Sequence, residues 1–240
     1  MDLQIIIQAR ITSARLPAKV LLPLCGCSVL EIMLKRLQKF QNSIIVATTD
    51  DDPKHRIKKI CKKLNVKYFE GDMQNVLLRY YNAAVHFGAN DKTVIVRCTS
   101  DCPLIDPGIV QRAIRLFYTG KAGYVCACTG SGFPRGMDSE VFSFSSLKDA
   151  CLNASSDYDL EHVTPYIRAH AATATLNNRY NHSKYRLTLD EEDDYKAIVS
   201  IYEKLECKTD FSYEYLIDTL EKFPHLYEMN KHVEQKKYHH

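Results

Sequence analysis

The chain has 240 residues, 45% hydrophobic and 25% charged, which is enough for one large α/β domain of ordinary globular composition. A formal net charge of +3, with the basic residues scattered rather than gathered into a stripe, argues against a nucleic-acid binder. No apolar run approaches the ~20 residues of a membrane helix, Leu3–Ile7 is too short for the apolar region of a secretory signal, and the nine cysteines are an odd number, so the expectation is a cytoplasmic protein with reduced thiols and no membrane partner.

In chain order, Leu3–Ile7 reads as a short buried strand. A loop rich in small residues follows, from Gln8 to Lys19. Ser28 is a plausible cap for a helix running to about Phe40. Ser43–Thr48 is a second buried strand, and Pro53 suits the first turn of a helix reaching about Leu64. Val66–Phe69 is a third strand, Asn75 to about Phe87 a helix stopped by Gly88, and Thr93–Cys98 a fourth strand. Asp106 before Pro107 reads as the cap of the next helix, Ile109–Tyr118, and Gly123–Cys128 as another strand. This alternation predicts a mostly parallel sheet with helices on both faces.

From Thr129 the pattern loosens, with helices near Ser145–Asn153 and from about Asp159 to His170. The stretch of about 129–181 reads as an extension inserted in a single domain covering 1–240. Tyr185–Leu189 returns as a strand, Glu191 to about Leu205 as a helix with acidic residues in its first turn, and Tyr213–Lys222 as a last amphipathic helix. The tail beyond Pro224 is polar and expected to be loosely held. His239-His240 is given no role. Cys25-Gly26-Cys27 and Cys126-Ala127-Cys128 are read as small buried residues, with a zinc site as the alternative.

The loop after the first strand carries the chemistry. It places Arg10, Arg15 and Lys19 at the end of a strand, where open α/β sheets bind ligands. Ala9, Ser13, Ala14 and Ala18 let backbone N–H groups approach an anion, and cations beside exposed amides suit a polyphosphate. The run is neither a Walker P-loop nor a Gly-x-Gly-x-x-Gly fingerprint. Basic loop residues also occur simply as solvated surface. Asp101 and Asp190 each follow a strand, so neighbouring parallel strands would bring two hard carboxylates to the rim opposite the cations, a Mg²⁺–triphosphate arrangement. Both aspartates also suit loop or helix caps.

The segment Ala9-Arg10-Ile11-Thr12-Ser13-Ala14-Arg15-Leu16-Pro17-Ala18-Lys19 resembles the opening motif of the cytidylyltransferases that make CMP-activated acid sugars, and most closely the spore-coat polysaccharide biosynthesis protein F family. Further blocks match in the same order: Glu70-Gly71-Asp72 with Asn75 to Tyr80, Asp101 to Pro107, Pro134 to Phe142, Glu161 to Ile167, and Arg186 to Asp190. The resemblance implies a three-layer Rossmann-like nucleotide-diphospho-sugar transferase fold whose inserted extension makes a homodimer. It implies a Mg²⁺-dependent enzyme moving CMP from CTP to the hydroxyl of an acid sugar for surface polysaccharide synthesis, with loss of pyrophosphate. Asp101 and Asp190 would hold the metal, and Arg10, Arg15 and Lys19 would complete the catalytic set. Ala9, Ser13 and Arg79 would join the nucleotide site, and Arg135, Asp138, Glu140, Glu161 and His162 would face the acceptor.

Three departures leave alternatives open. Gly26-Cys27-Ser28 stands where relatives have Gly-Lys-Pro, Thr99-Ser100 precedes Asp101 where they often have Gln, and Glu191-Glu192 follows Asp190 where they have Thr-Pro. The competing readings are a sugar-1-phosphate nucleotidyltransferase using GTP or another triphosphate, a glycosyltransferase built on Asp50-Asp51-Asp52 or Asp193-Asp194, and a non-catalytic nucleotide-binding subunit.

Overall fold

Ile5, Ile6 and Ile7 have no exposed surface, so the first strand, β1 (Leu3–Gln8), is buried on both faces, as the interior of a parallel sheet requires. The computed structural model describes residues 2–50 and 52–235. After β1 come a hairpin of β2 (Pro23–Leu24) and β3 (Cys27–Ser28), then α1 (Val29–Arg36), β4 (Ile44–Thr48), α2 (Arg56–Lys63), β5 (Lys67–Glu70) and α3 (Val76–His86). β6 (Val94–Thr99), α4 (Pro107–Tyr118), β7 (Tyr124–Ala127), β8 (Ser139–Ser143), α5 (Phe144–Asn153), α6 (Asp157–His162) and α7 (Pro165–His170) follow. The chain continues through β9 (Thr173–Thr175), α8 (Glu192–Lys204), α9 (Tyr213–Lys222) and α10 (His225–Glu228). Among the described residues no helix is long and apolar enough to cross a membrane.

The central sheet has seven strands in the order β5-β4-β1-β6-β8-β7-β9. β5, β4, β1 and β6 are parallel, β8 is antiparallel to both its neighbours, and β9 is parallel to β7. The pleat splits the core. Ile5 and Ile7 pack with residues of α1, α2 and α4, whereas Ile6 packs with residues of α3, α5 and α7. A third cluster joins α8, α9 and the segment 185–189 to the outer side of α1. The expected α/β architecture, a mostly parallel sheet between helical layers, is the one observed.

Local signals explain most boundaries. Ser28 Oγ accepts from the Glu31 N–H at 3.2 Å and Glu31 Oε2 accepts from the Ser28 N–H at 2.7 Å, a reciprocal capping pair. Asn75 and Asp106 cap α3 and α4 one way only, their side chains accepting from the N–H groups of Leu78 and Ile109.

Several expectations need correction. α1 stops at Arg36 and the chain continues as a 3₁₀ turn, Gln38–Ser43. Pro53 lies outside α2, which begins after His55 in the left-handed region, φ 50°, with Asp52 accepting from the Arg56 and Ile57 N–H groups. The single helix expected over 159–170 is two. Val163 takes φ 72° and the Thr164 N–H bonds the His162 carbonyl at 2.8 Å, a strained γ-turn, and Pro165 opens α7. Residues 139–143 and 173–175, within the irregular stretch, are sheet strands that the pattern did not show.

Tyr185–Leu189 is mostly buried but is no strand; it makes a single isolated parallel bridge, Arg135 with Arg186, outside the sheet. The described part of the tail, residues 225–235, is held: Asn230 is fully buried and donates to the Arg186 carbonyl at 3.0 Å and to Asp194 Oδ1 at 2.8 Å. The cysteines are not all thiols, because Cys25 in the β2–β3 turn is disulfide-bonded to Cys207 after α8. His239-His240 lies outside the described residues.

Candidate active site

The strand order reverses at β1, which has β4 on one side and β6 on the other. A crevice at such a switch point, beyond the carboxyl ends of the strands, is where α/β sheets bind ligands. The loop after β1 and the turn after β6 meet there, in a cleft of about 560 Å³. Every residue expected at the site lines it: Ala9, Arg10, Ser13, Arg15, Lys19 and Arg79; Asp101 and Asp190; Arg135, Asp138, Glu140, Glu161 and His162.

The basic loop closes on itself. The Ala18 N–H donates to the Ile11 carbonyl at 2.9 Å, and Ala18 adopts φ 53°, turning Lys19 into the cleft. Lys19 Nζ donates to Asp101 Oδ2 at 2.8 Å, Asp190 Oδ1 at 2.9 Å and the Leu189 carbonyl at 2.7 Å. Arg15 reaches the same Asp190 oxygen at 3.0 Å and Glu191 at 3.3 Å.

The two aspartates therefore meet as expected, but by a different route. Asp101 follows β6. Asp190 is delivered by a non-strand segment laid along 135–136 and the Asp101 turn: the Leu187 N–H donates to the Arg135 carbonyl and the Leu189 N–H to the Asp101 carbonyl, both at 2.8 Å. Gly136 makes this approach possible. It sits at φ 101°, and a Cβ there would lie 2.5 Å from the Leu187 carbonyl carbon.

Burial works against charge on Asp101, but Lys19 outweighs it and holds the carboxyl below its ordinary range. Burial likewise opposes charge on Lys19, and Asp101 and Asp190 together raise the ammonium above its ordinary value.

Behind Asp190 lies a group of residues whose role the sequence did not reveal. Arg186 grips Asp194 through Nε at 2.8 Å and a terminal nitrogen at 3.0 Å, and that terminal nitrogen also donates to Asp190 Oδ2 at 3.0 Å. Its other terminal nitrogen reaches Gln235 at 3.0 Å. Asp194 is fully buried and also accepts from the backbone N–H groups of Asp190 and Glu191, both at 3.0 Å. Its position three residues after Glu191 was a visible capping signal. Its pairing with Arg186 was not.

Glu140 is the centre of a second network. Arg97 and the Tyr124 hydroxyl bond it closely, and Thr164 donates to Oε1 at 2.7 Å. Arg97 also donates to Gln8 at 3.2 Å, and Gln8 accepts from Tyr80 at 3.3 Å. Burial would raise the Glu140 carboxyl, yet Arg97 and the hydroxyl donors bring it below its ordinary range. Asp138 lacks such a partner. Burial pushes it up, against the Gly136 N–H at 2.8 Å and the Arg135 charge. Burial also lowers His162, which is neutral near pH 7. Arg10 and Arg135 carry no side-chain hydrogen bond or ion pair among the described residues. Arg79 is directed at the 72–73 turn, bonding the Asp72 carbonyl.

Of the carboxylates in the glycosyltransferase reading, Asp52 caps the turn into α2, Asp193 pairs with Lys196 and Asp194 is sealed behind Asp190, while Asp51 lies outside the described residues. Among the described residues no group of three or more His, Cys, Asp or Glu could hold a metal ion, so neither Cys-x-Cys pair has the ligands of a zinc site.

The comparisons agree with this geometry. The chain matches the cytidylyltransferase family over residues 4–239. It is 32% identical to spore coat polysaccharide biosynthesis protein SpsF of Bacillus subtilis, over 93% of this chain and 95% of that one. It is 33% identical to the 8-amino-3,8-dideoxy-manno-octulosonate cytidylyltransferase of Shewanella frigidimarina, over 54% of this chain and 53% of that one. The structure of a cytidylyltransferase from Leptospira borgpetersenii superposes over the whole of both chains with a TM-score of 0.89 at 34% identity. A site gathered at the switch point and a match along nearly the entire sequence lead to one conclusion: this chain belongs to the cytidylyltransferase family.

Proposed function

We propose that the protein transfers CMP from CTP to the hydroxyl of an acid sugar and releases pyrophosphate, as a step in surface polysaccharide synthesis. The carrying observation is the convergence of Asp101 and Asp190 on Lys19 Nζ, with Arg15 on the same Asp190 oxygen. A polyphosphate entering the cleft competes with those carboxylates for the same cations, so Lys19 and Arg15 take up the β- and γ-phosphates and stabilise charge on the leaving pyrophosphate. Arg10 lies along the nucleotide, with the backbone of Ala9 and Ser13 beside it.

The donor set fits Mg²⁺. Two hard carboxylate oxygens converge on one cationic point, and Mg²⁺ takes one or two carboxylates and completes its shell with water and phosphate oxygens. When bound, the ion withdraws charge from the phosphoryl group under attack. Arg186 holds Asp190 by its other oxygen, so that the first stays directed at the cleft. Arg135, whose side chain makes no hydrogen bond or ion pair among the described residues, takes the acceptor's carboxylate, and Asp138, Glu161 and His162 take its hydroxyls. Glu140 stands behind them and fixes Thr164 and Tyr124. The acid-sugar acceptor is supported by the name of the Shewanella relative, and polysaccharide synthesis by that of the Bacillus one. A cytoplasmic homodimer completes the reading, and sedimentation of the purified protein tests its stoichiometry.

The deciding experiment measures pyrophosphate release with Mg²⁺, crossing CTP, GTP, UTP and ATP against acid sugars and sugar 1-phosphates. Release with CTP and an acid sugar alone is expected. Release only with another nucleotide or a sugar 1-phosphate overturns the substrate assignment, and nucleotide binding without release with any pair overturns the reaction.

A further inference from the structure

Two thiols in the cleft wall have no part in nucleotidyl transfer. Cys126 is on β7, and Cys128 lies where the chain bends out of the strand into the 3₁₀ turn Thr129–Ser131. Two residues apart, the two side chains fall on one side of the chain, and Cys126 Sγ and Cys128 Sγ are 3.6 Å apart. Both are half-buried and both line the cleft. At that separation the two sulfurs are in contact. We infer that Cys126 and Cys128 form a redox-modifiable dithiol, at which hydroperoxides are reduced and a reversible disulfide is made in the cleft wall.

The surroundings assign the roles. The 3₁₀ turn is tied to Cys128 by the Ser131 hydroxyl, which donates to the Cys128 carbonyl and accepts from its N–H at 3.0 Å. The hydrogen bond shared with Cys126 is the largest influence on Cys128, and with the Gly130 N–H and Ser131 it brings that thiol down to about 6, while Cys126 is pushed up as the partner that keeps the proton. The thiolate is the reactive form. Half-buried Cys27, whose Sγ accepts from Lys35 Nζ at 2.9 Å, is the competing thiol, and the rest are suppressed by burial. Burial pushes Cys61 and Cys98 up to about 12 and raises Cys102 well above its ordinary value. Burial also raises Cys151.

The chemistry balances. The Cys128 thiolate attacks a peroxide oxygen, the O–O bond breaks, and hydroxide leaves with the electron pair, giving Cys128 sulfenic acid. Cys126 sulfur then attacks the sulfenic sulfur, hydroxide leaves and takes the thiol proton as water, and the disulfide forms. The dithiol loses two electrons and the peroxide gains them. A thiol reductant reverses the bond by exchange.

The sequence supplies a clean assay. Trypsin cleaves after Lys121 and Arg135, releasing Ala122–Arg135, a peptide whose only cysteines are Cys126 and Cys128. The folded protein is treated with hydrogen peroxide at near-stoichiometric ratio, alkylated, digested and weighed. This peptide is expected to resist alkylation and to be lighter by two hydrogen atoms, and to recover both thiols after dithiothreitol. In Cys126→Ser, dimedone is expected to trap a sulfenic acid at Cys128. In Cys128→Ser, Cys126 should be trapped about tenfold less. Two free thiols in this peptide while Cys27 or Cys151 oxidises, or equal trapping in the two variants, overturns the proposal. The readout is a mass, so it stands or falls apart from any nucleotidyltransferase activity.

Discussion

The cleft contains two charge networks, and their difference separates chemistry from scaffold. Around Glu140, both carboxylate oxygens accept from donors fixed on regular elements: Arg97 on β6, Tyr124 on β7, and Thr164 at the start of α7. Around Asp101 and Asp190, the shared partner is Lys19, a long, flexible side chain at the end of the loop after β1, where the 3₁₀ turn Lys19–Leu21 begins. A carboxylate whose partners cannot leave is part of the structure. One whose partner is a loop cation can exchange that partner for a phosphate or a metal ion. The sequence motif included both kinds without distinguishing them.

Substitutions should split along that line. The largest effect is expected from Glu140→Ala, which strands Arg97 in a largely buried position and should cost about 3–5 kcal/mol of stability. For a chain of this length that is a fall of roughly 6–20 °C in Tm, read by calorimetry. A Tm near wild type would show that the network is dispensable and dissolve the contrast. Asp101→Ala and Asp190→Ala should do the opposite, lowering pyrophosphate release by about 10²–10³ with circular dichroism unchanged. Substantial Mg²⁺-dependent turnover in either would remove these carboxylates from the reaction.

The pH dependence of stability sharpens the comparison. Asp101 is depressed in the folded protein, so its contribution is present above its unfolded value near 4 and lost as pH falls through its folded one. Lys19 is raised, so its contribution is present below its unfolded value of about 10.4 and lost as pH rises past its folded one. The Tm difference between wild type and Lys19→Met should therefore be flat from about pH 5 to 9 and shrink at both extremes. A difference that grows toward acid pH contradicts the pairing. The smallest effect is expected at Arg135. Arg135→Ala should raise KM for an acid-sugar acceptor about tenfold, the worth of one charge-assisted hydrogen bond, with little change in kcat or Tm. An unchanged KM would show that the acceptor's charge is read elsewhere.

What the sequence disclosed follows the range of the interactions. The parallel strands were visible because residues such as Ile5–Ile7 are buried on both faces, and caps such as Ser28, Asn75 and Asp106 act within three residues. The candidate site was legible because its motif loop and Asp101 follow strands directly. What failed depended on distant partners. Tyr185–Leu189 has the composition of a strand, but β8, a five-residue segment with two serines, takes the place beside β6. The Cys25–Cys207 bond spans 182 residues, and no local pattern marks either end. Asp194 looked like one more acid at a helix start because Arg186 and Asn230, which account for its burial, belong to other segments.

The reach of that last network has a consequence for biosynthesis. Arg186 holds Asp190 while bonded to Gln235 and backed by Asn230, and Asp190 in turn meets Arg15 and Lys19 from the loop after β1. During synthesis the three cations and Asp101 are made before Asp190, and Asp190 before residues 230–235, which back Arg186, so the counter-charge of the site is completed last.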